Sequence, residues 1–480
     1  MFIDLSMLLV ILPQILLVVL GGVVLILELV LSRDQYRNIG WVTAIGMGFI
    51  LLLSILVIPD EDSGFSWGGM IRNDWISYLF TVMVIFGAGI SALFSMDFRS
   101  LDKRGGFFVL LISATLGMTF MASAADLVLL FVAIETSALS LYVLASLFTD
   151  EDESAEAGFK YFLFGALTST IMLYGFSLLF GFSGSTNIFR IAESFRTGGV
   201  PLTAIIGSLI LVLVGFTFKI SGVPFHFWAP DVYQGAPTPV SGFLSTASKA
   251  AGFIVLARVM AVVFQDISLY WGAIIAAMSV ASMTLGNLLA LAQKNIKRML
   301  AYSSIAHAGY ALIGLVAISR IGLSSMVLYL IVYLVTNLAA FGIVSAYGRT
   351  VGSDEMSAYY GMSRRSPWLA LALLIALLSL AGMPPLGGFI AKVYVFAAAV
   401  DANMVWLAVV GVLNAIIGLY YYLTVLKYAY LYRSEDEDEP LPVTRPIQVA
   451  LAVLTIGIIL LGTLFAPWFD WANIAAASVF

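Results

Sequence analysis

No cysteine occurs in the 480 residues. Disulfides, thiolate chemistry and cysteine-ligated iron–sulfur clusters are therefore excluded from this chain. Histidine is nearly absent too: His226 and His307 are the only two, too few to expect a haem relay. Any redox work would have its electrons travel elsewhere. Charge is scarce, at 11% of residues against 61% hydrophobic, which leaves too little to cover a soluble domain of this size. Walker loops and strand-linked dinucleotide motifs are missing, so neither nucleotides nor nucleic acids are expected partners. The N-terminus lacks the basic region of a cleavable signal peptide, and its first apolar run is long enough to span a bilayer.

What remains is a polytopic, all-α membrane protein, because only helices or closed barrels satisfy their backbone in lipid. With about 20 apolar residues per crossing, about fourteen spans are expected. They fall near 7–31, 39–58, 75–96, 107–124, 126–148, 158–182, 203–228, 239–264, 269–292, 297–318, 323–348, 367–399, 404–432 and 447–467. The net charge of −5 comes largely from two acidic runs, Asp150-Glu151-Asp152-Glu153 and Glu435-Asp436-Glu437-Asp438-Glu439. Both read as solvated loops, with docking of a basic partner the alternative.

Loop charges set the expected orientation. Odd-numbered connections carry Arg33, Arg37, Arg99, Lys103, Arg104, Lys294, Lys297, Arg298, Arg349, Arg364, Arg365, Arg433 and Arg445. Even-numbered ones carry Arg72, Arg190, Arg196 and Arg320. By the positive-inside rule both termini face outward and the odd loops face the cytoplasm.

Two spans are interrupted. Ser221-Gly222-Val223-Pro224 breaks the seventh, and Ala381-Gly382-Met383-Pro384-Pro385-Leu386-Gly387-Gly388 breaks the twelfth. Proline removes a backbone donor and clashes with the preceding turn, and glycine frees the backbone further. Breaks five spans apart cross the bilayer in opposite directions, as two inverted five-helix repeats would place them, and paired broken helices mark transport sites. The chain then divides into three N-terminal helices (1–106), a first repeat (107–264), a second repeat (269–432) and an acidic loop with a last helix (433–480).

The stretch from Phe218 to Phe253 concentrates the unusual residues: Lys219, His226, Lys249 and four prolines. Lys219 and Lys249 lie about 22 Å and about 16 Å into their spans, well inside a core of about 30 Å. Glu135 lies about 13 Å into the fifth span, and Lys392 follows the second break. A charge at the bilayer centre costs about 2.5–3.5 kcal/mol or more, so it needs a function or a partner. Burial disfavours an ammonium and a nearby carboxylate restores it, which suits lysine to loading and releasing a proton. Static salt bridges are the alternative, but three deep lysines against one deep glutamate leave excess positive charge. His226 and His307 can shuttle protons or sit satisfied in the core. Lys160 reads as a proton-entry residue or a snorkelling anchor, and Lys427 as snorkelling. Glu28 reads as interfacial, Asp126 as a helix N-terminal residue, and Arg258 as near a span end. The aromatics, the Tyr420-Tyr421-Tyr422 run among them, read as packing and interfacial belts.

Five segments resemble the antiporter-like membrane subunits of respiratory complex I. They are LFVAIETSALSLYVLAS, EAGFKYFLFGA, the whole of FKISGVPFHFWAPDVYQGAPTPVSGFLSTASKAAGF, AQKNIKRMLAYSSIAHAGY and GMPPLGGFIAKVYVF. The resemblance implies fourteen helices with two inverted repeats and a proton path. Glu135 would be the span-five glutamate paired with Lys219, Lys249 the connecting lysine, Lys392 the residue toward the outer exit and Lys160 an accessory lysine. Lysine at 392, and a chain that stops soon after its last span, are expected to set it apart from two sibling branches of that family. FMN, iron–sulfur clusters and quinone are implied for other subunits, with none in this chain. Implied partners are those membrane subunits, neighbouring antiporter-like ones included, and the lipid of a bacterial plasma membrane. An Mrp-type cation/proton antiporter subunit and a non-conducting assembly scaffold are the competing readings.

Overall fold

The computed structural model describes residues 5–32, 35–59, 64–96, 106–436 and 439–479. Arg33, Arg99, Lys103 and Arg104, used above for orientation, lie outside the described residues, as do Glu437 and Asp438 of the second acidic run. Among the described residues the regular elements are all helices except for one hairpin, β1 (Gly64–Ser66) antiparallel to β2 (Ile71–Asn73).

The N-terminal helices are α1 (Leu5–Val10), α2 (Leu12–Val30), α3 (Tyr36–Ser54) and α4 (Trp75–Ser95). They are followed by α5 (Phe107–Ser123), α6 (Leu127–Ala145), α7 (Asp152–Ser183) and the short amphipathic α8 (Ile188–Thr197). Next come α9 (Leu202–Lys219), α10 (Trp228–Gly235), α11 (Thr238–Phe243) and α12 (Lys249–Val262). The remainder comprises α13 (Ser268–Leu291), α14 (Ile296–Val316), α15 (Arg320–Val351), α16 (Met362–Arg365), α17 (Pro367–Ala381), α18 (Gly387–Asp401), α19 (Val405–Leu431), α20 (Arg445–Thr463) and α21 (Ala466–Ala477). Among the described residues, twelve helical stretches are long and apolar enough to cross a membrane. Two further apolar helices, Phe107–Ser123 and Pro367–Ala381, are shorter. The protein is a multi-pass, all-α membrane protein.

Helix ends follow local chemistry. Asp74 caps α4, accepting from the Ser77 amide at 3.0 Å, and Asp126 caps α6 through the amides of Val128 and Leu129. Gly184, Gly352 and Gly382 end α7, α15 and α17 in the left-handed conformation that favours glycine. The first acidic run is not wholly a loop: Asp152 and Glu153 form the first turn of α7, where carboxylates suit the helix dipole. Lys297, expected in a loop, sits in the first turn of α14 and is buried. Asn295 caps that helix directly after Lys294, and the helix begins one residue from the expected start of the span. Glu28 accepts the Gly106 amide at 2.7 Å, and Lys427 stays exposed beside the Tyr432 ring.

Span seven differs from its expected form. α9 stops at Lys219, residues 220–227 are non-helical, and α10 carries on to Gly235, beyond the expected end at 228. Pro224 cannot continue the ladder, and the Val223 amide is taken instead by Ser282 Oγ of α13 at 3.0 Å. In span twelve the break lies between α17 and α18, with Gly382, Pro384 and Pro385 inside it. Span eight is also irregular: a π-helical turn, Leu244–Ser248, sits between α11 and α12. Such turns carry no obvious sequence mark and recur at functional sites.

α11–α12, α14 and α15 are almost wholly buried, whereas α2, α3, α7 and α19 expose broad apolar faces. The helices that carry Lys249 and His307 are therefore the centre of the bundle.

Candidate functional site

Lys219 ends α9, where the last carbonyls favour a cation. Its Nζ donates to Ser137 Oγ of α6 at 2.9 Å. Glu135 is within Coulombic reach, yet no ion pair of 4 Å or less joins the two among the described residues, and Glu135 Oε1 is buried without a hydrogen-bond partner. Two residues along a helix turn it by about 200°, so Glu135 and Ser137 present different faces and α9 meets that of Ser137. Lys219 thus gives its hydrogen bond to a serine, while Glu135, the partner implied by resemblance, reaches it through charge alone. A cavity of about 10 Å³ beside Lys219, edged by Tyr142, Tyr161 and Ser169, is at the lower limit for one water.

Gly252 connects this end to the next lysine. A Cβ there would lie 3.0 Å from Lys219 Cγ, so glycine allows α12 to pack on the Lys219 stem. One turn earlier, directly after the π turn, Lys249 Nζ donates to the Ser304 carbonyl at 2.9 Å and to its Oγ at 2.5 Å. Ser304 and His307 are three apart on α14 and so share a face. His307 Nδ1 pairs with the Tyr329 hydroxyl at 2.7 Å, and Nε2 with that of Tyr422 at 3.2 Å. Tyr333 stacks on the ring with centroids 5.0 Å apart.

Lys392 lies across a second cavity of about 10 Å³ that His307 also lines. Its Nζ turns back over the break and donates to the carbonyls of Leu380 and Ala381, both at 2.9 Å, 5.0 Å from the Tyr310 ring centre. Among the described residues no carboxylate oxygen lies within 4 Å of Lys249 or Lys392; neutral oxygens hold both.

The other expected residues fall elsewhere. Lys160 bonds Asp231 of α10 at 2.5 Å and Glu156 at 2.6 Å, and Asp231 also accepts from Arg298 of α14 at 2.6 Å. Burial pushes the Asp231 carboxyl up, but the bonds from Lys160 and Arg298 outweigh it and hold the group below the usual carboxylate range. His226, on the span-seven break, is buried with Nδ1 unpaired, and no hydrogen bond joins it to the lysines among the described residues. Arg258 lies in the last turns of α12, near the span end as expected, but it is buried there and forms a two-pronged bond to Asp74, both at 2.9 Å. The tyrosine run is not simply packing: Tyr420 is exposed, but Tyr421 bonds Asn287 at 2.9 Å and Tyr422 touches His307 and Ser303.

The site contacts of Asp231, Arg298, Asp74, Ser137, Ser304 and the tyrosines escaped the sequence reading. Asp231 alone had a signal, as the single acid between Phe218 and Phe253.

A bundle with broken helices and buried lysines at its centre defines a membrane transport-type subunit. The family described as NADH:quinone oxidoreductase/Mrp antiporter, TM, matches residues 124–418, and the chain belongs to that family. NADH-quinone oxidoreductase subunit N of Moorella thermoacetica is 40% identical over 97% of this chain and 98% of its own. NAD(P)H-quinone oxidoreductase subunit 2 of Nostoc punctiforme is 39% identical over 96% and 89%. A chain of respiratory complex I from Thermus thermophilus with bound aureothin superposes with a TM-score of 0.80 at 33% identity, covering 96% of this chain and 99% of that one. A chain of the Mrp complex from Dietzia shares the fold, with a TM-score of 0.86 at 21% identity over 99% of this chain and 98% of that one.

Proposed function

We propose that the chain is a proton-translocating membrane subunit of an NADH:quinone oxidoreductase, with no redox centre of its own. The observation that carries this reading is the succession Lys219, Lys249, His307, Lys392 through the buried centre, with all three lysines hydrogen-bonded to neutral oxygens. A structural salt-bridge scheme would set a carboxylate against each. A lysine on neutral acceptors keeps its hydrogen bonds whether or not it carries the extra proton, as a relay needs.

In this reading Glu135 tunes Lys219, and Lys160, with Asp231 beside it, lies at the cytoplasmic entry. Protons cross to Lys249, pass His307 and leave by Lys392 on the outer side, with waters bridging the gaps. His226 is a minor member, next to the break formed by Gly222 and Pro224. The energy comes from quinone reduction in other subunits, which hold FMN, iron–sulfur clusters and quinone. Neighbouring antiporter-like subunits are the direct partners, in a bacterial plasma membrane with both termini outside. The relatives' names as oxidoreductase subunits support this assignment.

Fourteen crossings in two inverted repeats complete the proposal. One packing detail supports it: a Cβ on Gly117 of α5 would strike the Ser137 amide and Ala133 carbonyl of α6. On Gly286 of α13 it would strike the Ala306 amide and Tyr302 carbonyl of α14. The two contacts share the same spacing, and that spacing would set Glu135 and Ser304, the partner of Lys249, at equivalent positions of the two repeats.

The test is Lys249→Ala in the intact complex, reconstituted in proteoliposomes. NADH-driven proton uptake and quinone reduction should fall together, with NADH:ferricyanide activity retained. Unchanged uptake per assembled complex refutes the relay, and if assembly alone weakens the chain is a scaffold. Sodium-dependent proton exchange without NADH would mean an antiporter.

A further inference from the structure

Away from the lysine axis lies an apolar groove of about 920 Å³, large enough to take a whole ligand. Its floor is α4 and α15; α3 forms one wall, and α20 with α21 the other. Trp75, Tyr78, Trp468 and Trp471 gather at one end, as two edge-to-face pairs with centroids 5.7 Å and 5.4 Å apart. From Trp75 to Phe86, which also lines the groove, α4 advances about 16 Å. That is about half of a 30 Å hydrocarbon core.

We propose that this groove holds the acyl chains of one membrane phospholipid, with its headgroup level with the four aromatic rings. Tryptophan and tyrosine prefer the membrane–water interface, so the ring-lined end marks headgroup depth and the Phe86 end the bilayer midplane. The groove is one leaflet deep, the reach of a phospholipid and only half that of a crossing helix. A partner helix would also seek small residues and polar groups. The groove's one glycine, Gly457, already faces α15, where an added Cβ would sit 3.1 Å from Val335. Among the described residues, the side chains that line its deep end are apolar and offer no polar group to a quinone head. The rim is apolar and exposed, with Val453 46% and Ile456 57% accessible, so hydrocarbon must cover it.

The intact complex in phosphatidylcholine vesicles, carrying a trace of phosphatidylcholine with a photoreactive diazirine in one acyl chain, tests the assignment. Label should concentrate on the groove-lining peptides of α4, α20 and α21. Val453→Trp on the rim should cut that label several-fold, whereas Val449→Trp, one turn along the exposed face of α20 and outside the groove, should leave it unchanged. Even labelling of all lipid-facing helices, or indifference to Val453→Trp, overturns the proposal. So does displacement of the label by a long-chain quinone, or groove peptides cross-linked to a neighbouring subunit instead of lipid.

Discussion

Lys392 reaches back across the break in span twelve to the carbonyl of Ala381, 2.9 Å away, and caps the helix that precedes its own. The ammonium therefore lies at the negative end of α17 and on the wall of the cavity it shares with His307. In the proposed relay, holding the break together and carrying a proton fall to one side chain.

These two roles separate by substitution. Arginine keeps the charge and the donors but cannot release a proton in a protein. Lys392→Arg should assemble and yet translocate protons at least roughly tenfold more slowly, within the scale of a lost proton-transfer group. Lys392→Ala should lose translocation and also leave buried carbonyls unpaired, at a cost of about 1–3 kcal/mol. Proton uptake per assembled complex and thermal inactivation in detergent give the two readouts. Full pumping by the arginine variant would confine Lys392 to the structural role.

At the other end of the axis, Lys219 depends on Ser137 for its hydrogen bond and on Glu135 for its field. Ser137→Ala and Glu135→Gln should each slow translocation several-fold. Because both act through one ammonium, the double variant should fall short of the product of the singles, with a coupling of about 0.5–3 kcal/mol. Fully multiplicative effects would mean that the two residues do not share Lys219.

Most of the spans, the two breaks and the buried lysines were legible because each is anomalous by type: a long apolar run, a proline within one, a charge within one. The partners of those lysines were not. Serine and tyrosine are ordinary in apolar helices, and whether α9 meets Ser137 or Glu135 depends on helix rotation, which hydropathy does not encode. The π turn before Lys249 has no composition of its own. Lys297 looked like a loop charge, and Asp231 was given no role, because their partners, the Ala236 carbonyl and Arg298, come from other elements. Arg258 and Asp74 are 184 residues apart, and only the packed bundle joins them.

That pair is itself open to test. Asp74 is fully buried and Arg258 3% exposed, and Arg72 adds a second contact to Asp74 at 3.1 Å. Removing one member of a buried pair strands the other, at about 3–5 kcal/mol. Arg258→Ala should fall at the low end, since Arg72 still partners Asp74. Asp74→Ala should cost more, because it strands two guanidiniums. The double variant should be more stable than the sum of the singles predicts. Thermal unfolding of the assembled complex measures all three, and strict additivity would show that the pair contributes nothing as a pair.

Asp231 yields a prediction in pH. Lys160 and Arg298 hold its carboxyl below the ordinary carboxylate range in the folded protein. A depressed folded value means that the stabilisation is complete above the unfolded value, about 3.9, and is lost only as pH falls through the folded one. The Asp231→Asn variant should therefore be less stable by a constant amount from pH 5 to pH 8. The three side chains are about a third exposed, so that amount is about 0.5–1 kcal/mol. The gap should close only below about pH 4. Thermal inactivation of both proteins across this range is the measurement. A gap that opens between pH 6 and pH 8 would show Asp231 titrating there, and would move it from a fixed charge that positions Lys160 and Arg298 to the acid that first receives the proton.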